Sequence, residues 1–173
     1  MAQAQYFMLF QSRDRPSHKS SAAAVCHRWI LPHRLAVGPF PNEPDLLHLQ
    51  QAKIQAILTL CPLAEGQLPD SAIAHFHCRR YPLPDSHSPR LLTPDQISAA
   101  VSQLHQLLQQ SLPTYIHCLA GMERSPLICI AYLCRYQQLP VWEALNHVKA
   151  VNRRTRLTSQ QLKTLQQWAK PFG

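Results

Sequence analysis

Residues 117–126 read HCLAGMERSP. Cys118 and Arg124 have five residues between them, including an Ala-Gly step. A cysteine is a strong nucleophile only as the thiolate, which forms where N–H donors and positive charge surround it. The stretch joins a short apolar run, PTYIHC, to a long one, ERSPLICIAYLCRYQ, so it reads as a strand-to-helix turn. In open α/β sheets such turns bind ligands. The helix N-terminus offers unpaired N–H groups and partial positive charge. Gly121 permits the tight backbone that turns successive N–H groups inward as an anion nest. There a cysteine pKa can fall from about 8.5 to roughly 3.5–7.5. The planar fork of Arg124 suits two oxygens of a phosphate. The pattern therefore fits Cys118 attacking phosphorus while N–H groups and Arg124 hold the oxygens.

The elements that must position this turn are legible from periodicity. RWIL and RLAVG, around Pro32 and His33, read as a hairpin. PNEPDLLHLQQAK reads as a short helix with Asn42 as N-cap. IQAILTL is apolar almost throughout and reads as a strand buried on both faces, and HFHCRRYPL as a further strand. A proline-rich loop, PLPDSHSPRLLTPD, follows. The next helix has Ile97, Ala100, Val101, Leu104, Leu107 and Leu108 at helical spacing, with Thr93 or Asp95 as its cap. Two amphipathic helices end the chain, the last capped by Thr158 or Ser159 with Gln161 near the capping-box position. Strands alternating with helices predict one α/β domain with a mostly parallel central sheet flanked by helices, over residues 23–173. Residues 1–22 lack periodicity and are expected to form a disordered tail.

Composition narrows the function classes. The chain has 173 residues, 46% of them hydrophobic, enough for one full core. No apolar run reaches membrane-spanning length. The charges near the start follow the apolar patch instead of preceding it, which disfavours a secretory signal. Six cysteines without a CxxC pair suit a reducing compartment, so a cytoplasmic location is expected. The net charge is +8, and from residue 111 onward eight basic residues face two acidic ones. That asymmetry implies an anionic partner or, failing that, a solvated basic face. His75 and His77 would share a strand face but lack a third ligand, so no metal is expected.

HCLAGMERSP matches the HCxxGxxR[ST] signature of cysteine-dependent protein tyrosine phosphatases, and the chain resembles their dual-specificity subgroup. RWILPHRLAVGPFP, QAKIQAILTLCP and the C-terminal helices extend the resemblance over roughly residues 26–170. The resemblance implies a phosphate-binding loop (P-loop) formed by Leu119, Ala120, Gly121, Met122, Glu123 and Arg124, with a phosphocysteine intermediate on Cys118. It implies Asp85, 33 residues before Cys118 in YPLPDSHSP, as general acid on a mobile loop. It further implies that Ser125 assists the thiolate as it leaves and that His117 orders the loop. Arg153, Arg154 and Arg156 would lie at the pocket rim, where they could meet a second phosphate or acidic side chains; helix capping and solubility explain them equally well. Cys61 is a candidate disulfide partner for Cys118, against the simpler reading as a buried thiol.

The expected activity is hydrolysis of protein phosphotyrosine and phosphoserine/threonine, with phosphorylated proteins as partners and no cofactor. The short chain leaves no room for a tyrosine-recognition segment, which favours a shallow site. Lipid-directed relatives often carry lysines in the loop, so Glu123 weighs against a polyanionic headgroup unless its side chain points away. A lipid (phosphoinositide) or glycan phosphatase is the main alternative. An RNA 5′-triphosphatase fits less well, because such relatives commonly dispense with the aspartate, and nucleic acid is not an expected partner. An inactive phosphoprotein-binding module would have lost Cys118 or Arg124. A sulfurtransferase or arsenate reductase fits the loop context poorly. Oligomeric state is not legible.

Overall fold

The computed structural model describes residues 27–170; the expected tail at 1–22 lies outside them. Five strands form one sheet: β1 (Arg28–Leu31), β2 (Leu35–Gly38), β3 (Ala56–Thr59), β4 (His77–Arg80) and β5 (Thr114–His117). Their spatial order is β1-β2-β5-β3-β4. The β1–β2 hairpin is antiparallel, and β2–β5, β5–β3 and β3–β4 are parallel. The single α/β domain with a mostly parallel sheet is thus as expected.

Side-chain alternation along the strands divides the core in two. On one face Leu35, Val37, Leu58 and Ile116 pack with the buried stripes of α3 (Pro94–Gln109), α4 (Arg124–Tyr136), α5 (Val141–Val151) and α6 (Ser159–Ala169). On the other, Ala36, Ile57 and Tyr115 meet α1 (Glu43–Gln51) and α2 (Asp70–His75) through Leu46, Leu49, Ala72 and Phe76. The helix starts follow sequence chemistry. Asn42, Thr93 and Thr158 each cap a helix, and Asp45, Gln96 and Gln161 close reciprocal capping boxes. No helix among the described residues is long and apolar enough to cross a membrane.

One region departs from expectation. The segment 75–83 does not run as a strand from its first residue. A 3-10 turn (Leu63–Glu65) and α2 intervene, His75 closes α2, and β4 begins at His77. Only Ala72 of α2 is buried, so no apolar period announced a helix there. The shared strand face for His75 and His77 is therefore incorrect. His75 Nδ1 donates to Ser71 O at 2.8 Å within its own helix, and His77 Nε2 accepts from Arg79 Nε at 3.3 Å. Among the described residues no group of three ligand-type side chains comes together for a metal.

The C-terminal ends of the parallel strands converge on the signature loop, residues 118–123. Gly121 has φ +67°, and a Cβ there would lie 2.6 Å from the Gly38 carbonyl carbon and 2.7 Å from Pro39 N. The loop is seated directly on the end of β2, and only glycine fits both the conformation and the gap. Phe40 N donates to Leu119 O at 3.0 Å and completes the seat. Replacing Gly121 by Ala should cost about 2–4 kcal/mol from left-handed strain plus overpacking, measured by urea denaturation. A loss under about 0.5 kcal/mol, the range of a neutral surface change, would contradict this close seating.

Candidate active site

Cys118 follows the last residue of β5 and is only 2% exposed. Glu123, the N-cap position of α4, offers no side-chain cap. The helix's leading donors turn to sulfur instead: the N–H groups of Glu123 and Ser125 donate to Cys118 Sγ, and Ser125 Oγ donates to it at 3.4 Å. Burial pushes the Cys118 pKa up. The Ser125 hydroxyl, the two N–H groups and the Arg124 charge more than offset this, and the thiol lies below its ordinary value. The other buried thiols go the opposite way. Burial raises Cys61 to about 12 and Cys134 to about 11, and drives Cys129 higher still. Among the described cysteines, Cys118 alone has a lowered thiol, while burial raises Cys61, Cys78, Cys129 and Cys134.

Arg124 is 4% exposed, so its charge needs a partner. Glu65 supplies it, with Arg124 Nη1 donating to Oε1 at 2.7 Å and Nη2 to Oε2 at 2.6 Å. Burial opposes the charge, but this bidentate pair holds the arginine pKa above its usual value. Nη1 also donates to Leu83 O at 3.4 Å. A guanidinium has five N–H donors. Those contacts leave Nε–H and the second Nη2–H, adjacent on one edge, and Nε is buried without a protein partner. That edge is a ready two-donor fork for an oxyanion. Arg80 steadies the segment bearing Glu65, donating to Cys61 O at 2.6 Å and Gly66 O at 3.1 Å.

His117 lies beneath the loop. Its Nδ1 is 3.2 Å from Cys118 O, and its Nε2 is 2.9 Å from Thr59 Oγ1, its cross-strand neighbour. A carbonyl can only accept, so the proton sits on Nδ1 and the threonine hydroxyl donates to Nε2. Burial lowers the His117 pKa to about 4 and keeps the ring neutral. Its contact with the loop is through the Cys118 carbonyl.

The acid-loop candidate reaches the same region. Asp85 is half-buried, and its carboxylate accepts from His87 N at 3.0 Å. The neighbouring Ser86 donates its N–H and hydroxyl to the Glu123 carboxylate at 3.1 and 2.8 Å. Of the three rim candidates, Arg153 and Arg154 line a cavity of about 530 Å³ with Arg28, Ala120 and Gly121. Arg156 instead joins through its backbone, donating N–H to Met122 O at 2.8 Å. Cys61 is fully buried, and the charges of Arg124 and Cys118 bear on its thiol.

Sequence reasoning missed Glu65, Glu123 as a loop-to-loop contact, and Asn152, whose amide donates to Gly121 O at 2.9 Å. One signal could have found Glu65. An arginine destined for burial requires a carboxylate, the chain has nine acidic residues, and Glu65 lies just beyond the end of a predicted central strand.

The lowered thiol predicts that Cys118 is alkylated by iodoacetamide with a half-maximal pH below that of an ordinary cysteine, about 8.5. Ser125→Ala should move that midpoint upward, while Cys61, Cys129 and Cys134 stay unmodified in the folded protein. Mass spectrometry of digests across a pH series reads both. A midpoint unmoved by Ser125→Ala would contradict the hydroxyl's contribution.

Residues 40–171 match the family model described as the dual specificity phosphatase catalytic domain. The chain is 25% identical over 138 residues to phosphatidylglycerophosphate phosphatase PTPMT2 of Arabidopsis thaliana, covering 79% of this chain and 60% of that protein. It is 33% identical over 105 residues to mouse dual specificity protein phosphatase 14, covering 60% of this chain and 50% of that one. The chain thus spans about half to three-fifths of these relatives' lengths. Among solved structures, PTPMT1 in complex with PI(5)P superposes with a TM-score of 0.74 at 18% identity, over 85% of this chain and 96% of that one. That likeness is one of fold. The family match covers most of the chain and includes the whole signature loop, so the protein belongs to the dual specificity phosphatase family.

Proposed function

We propose that the protein hydrolyses phosphomonoesters, foremost phosphotyrosine and phosphoserine/threonine in proteins, through a phosphocysteine intermediate. The observation that carries this reading is the unused Nε/Nη2 edge of a buried, permanently charged Arg124 beside a cysteine with a lowered pKa. The phosphate would bind to that fork and to N–H groups of residues 119–124. The Cys118 thiolate attacks phosphorus as the ester P–O bond breaks, and the Asp85 carboxyl delivers its proton to the departing oxygen. The Asp85 carboxylate then takes a proton from water. The water oxygen attacks phosphorus, the S–P bond breaks, and the Ser125 hydroxyl supports the released thiolate. Every step uses groups of this chain, and the reading calls for no cofactor.

Substrate class turns on the surroundings of the loop. The Glu123 carboxylate is engaged with Ser86 and Gln161. Those contacts turn the side chain toward the Ser86 loop and helix α6, which weakens its weight against a polyanionic headgroup. A phospholipid monoester is the second reading. It draws support from the likeness to a relative named as a phosphatidylglycerophosphate phosphatase and from the arginine-lined cavity beside Ala120 and Gly121. Protein substrates stay first because the likeness to mouse dual specificity protein phosphatase 14 is higher in identity. A cytoplasmic setting accords with several free thiols among the described residues. The raised Cys61 thiol favours a buried structural part over a disulfide with an oxidised Cys118.

Phosphate release from a matched panel tests the reading, with Cys118→Ser as the blank. The panel holds phosphotyrosine, phosphoserine and phosphothreonine peptides, phosphatidylglycerophosphate, a phosphoinositide and a 5′-triphosphate RNA. Peptides should turn over, and Asp85→Asn should slow them about 100-fold or more. The double change Arg153→Ala, Arg154→Ala should raise KM for acidic peptides and not for a small aryl phosphate. Turnover confined to lipids or RNA would keep the chemistry and overturn the substrate class. Tight phosphopeptide binding without turnover would overturn the enzyme reading.

A further inference from the structure

A carboxylate next to the arginine of an anion-binding loop opposes phosphate binding, so its presence there calls for some other contribution. Glu123 is occupied on both oxygens. Oε1 accepts from Ser86 Oγ at 2.8 Å, and Oε2 accepts from Ser86 N at 3.1 Å and from Gln161 Nε2 at 3.2 Å. Gln161 is itself held at the start of α6. Its N–H donates to Thr158 Oγ1 at 3.1 Å and its Oε1 accepts from Thr158 N at 2.9 Å. Glu123 therefore bridges a fixed helix start to the residue after Asp85. Among the described residues, the other hydrogen bonds of segment 84–90 are local ones: Ser86 with His87, His87 and Ser88 N with Asp85, and Arg90 with Ser88. A proline-flanked loop with this few outward contacts has little of its own to fix its place over the signature loop.

We propose that Glu123 is a positioning residue, an anionic latch that docks the acid loop on the signature loop and so sets where Asp85 delivers its proton. The proposal rests on the phosphatase reading and adds a consequence for substrates. Phosphate esters of poor leaving groups, such as aliphatic serine and threonine hydroxyls, depend on the latch. Esters of acidic phenols, which depart without a proton, depend on it less. The charge is essential to it: charge-assisted bonds to a carboxylate are roughly twice as strong as neutral ones, and Gln at 123 would turn an amide donor toward donors already there.

The test compares wild type, Glu123→Gln, Glu123→Ala and Ser86→Ala on phenyl phosphate and on a fluorinated umbelliferyl phosphate. The expected result is a loss of kcat/KM, which reports P–O cleavage and not the later hydrolysis, on the order of tenfold greater on phenyl phosphate than on the umbelliferyl ester, a fraction of what a general acid contributes. On an Asp85→Asn background the Glu123 changes should add little further loss, because the proton donor is already gone. Equal losses on both esters, or full additivity with Asp85→Asn, would overturn the latch and leave Glu123 as a loop-folding residue. Hydrogen exchange gives a readout independent of turnover. Glu123→Ala should speed exchange at the Ser86 amide and leave β5 and α4 protected, and unchanged Ser86 protection would overturn the proposal even in an inactive protein. A wild type that cleaves neither ester would count against the phosphatase reading alone, since Ser86 exchange still decides the latch.

Discussion

The positive end of α4 has no side-chain cap, and the sulfur of Cys118 stands in for one. Orphan N–H groups at a helix start must be satisfied somewhere. Here the strand β5 ends so that Cys118 meets the N–H groups of Glu123 and Ser125, and folding α4 and lowering the thiol pKa become one event. Each unit of pKa depression corresponds to about 1.4 kcal/mol of preference for the thiolate. Burial alone would have shifted the group the other way, as the raised values of Cys61 and Cys134 show in the same core.

The remaining structure keeps that junction in place. Gly121 lets the loop lie flat on Gly38 and Pro39. Asn152 Nδ2 and Arg156 N hold the carbonyls of Gly121 and Met122 from the α5–α6 connection. Neutral His117 carries the Cys118 carbonyl on one ring nitrogen and the Thr59 hydroxyl on the other, tying β5 to β3 beneath the loop. Glu65 takes one edge of Arg124 and leaves the other free. Removing either member of that pair would leave the other charge stranded, and the pair contributes orientation more than net stability.

Much of this was readable in the sequence, for reasons that differ by element. The hairpin, the long α3 and the capped starts at Asn42, Thr93 and Thr158 declare themselves through period and local chemistry, which need no knowledge of the rest of the chain. Cys118 and Arg124 could be singled out because one contiguous turn carries both, and the structure places them side by side at the start of α4. Glu65 was not: its partner is 59 positions away and its own segment is a short 3-10 turn without pattern. The short α2 hid for a related reason, since one buried residue makes no stripe. Glu123 was visible, but its contact with Ser86 was not, because side-chain direction within a loop depends on which loop docks against it.

The central claim is that the helix-capped sulfur is the atom that receives the phosphoryl group. Rapid-quench mass spectrometry of Ser125→Ala mixed with an aryl phosphate tests it most directly, since loss of the hydroxyl should slow breakdown of the intermediate. The account predicts one phosphoryl group on the peptide containing Cys118, formed within the first turnover. Phenol release at a steady rate with no phosphoryl on that peptide, or with the label on another residue, would contradict it.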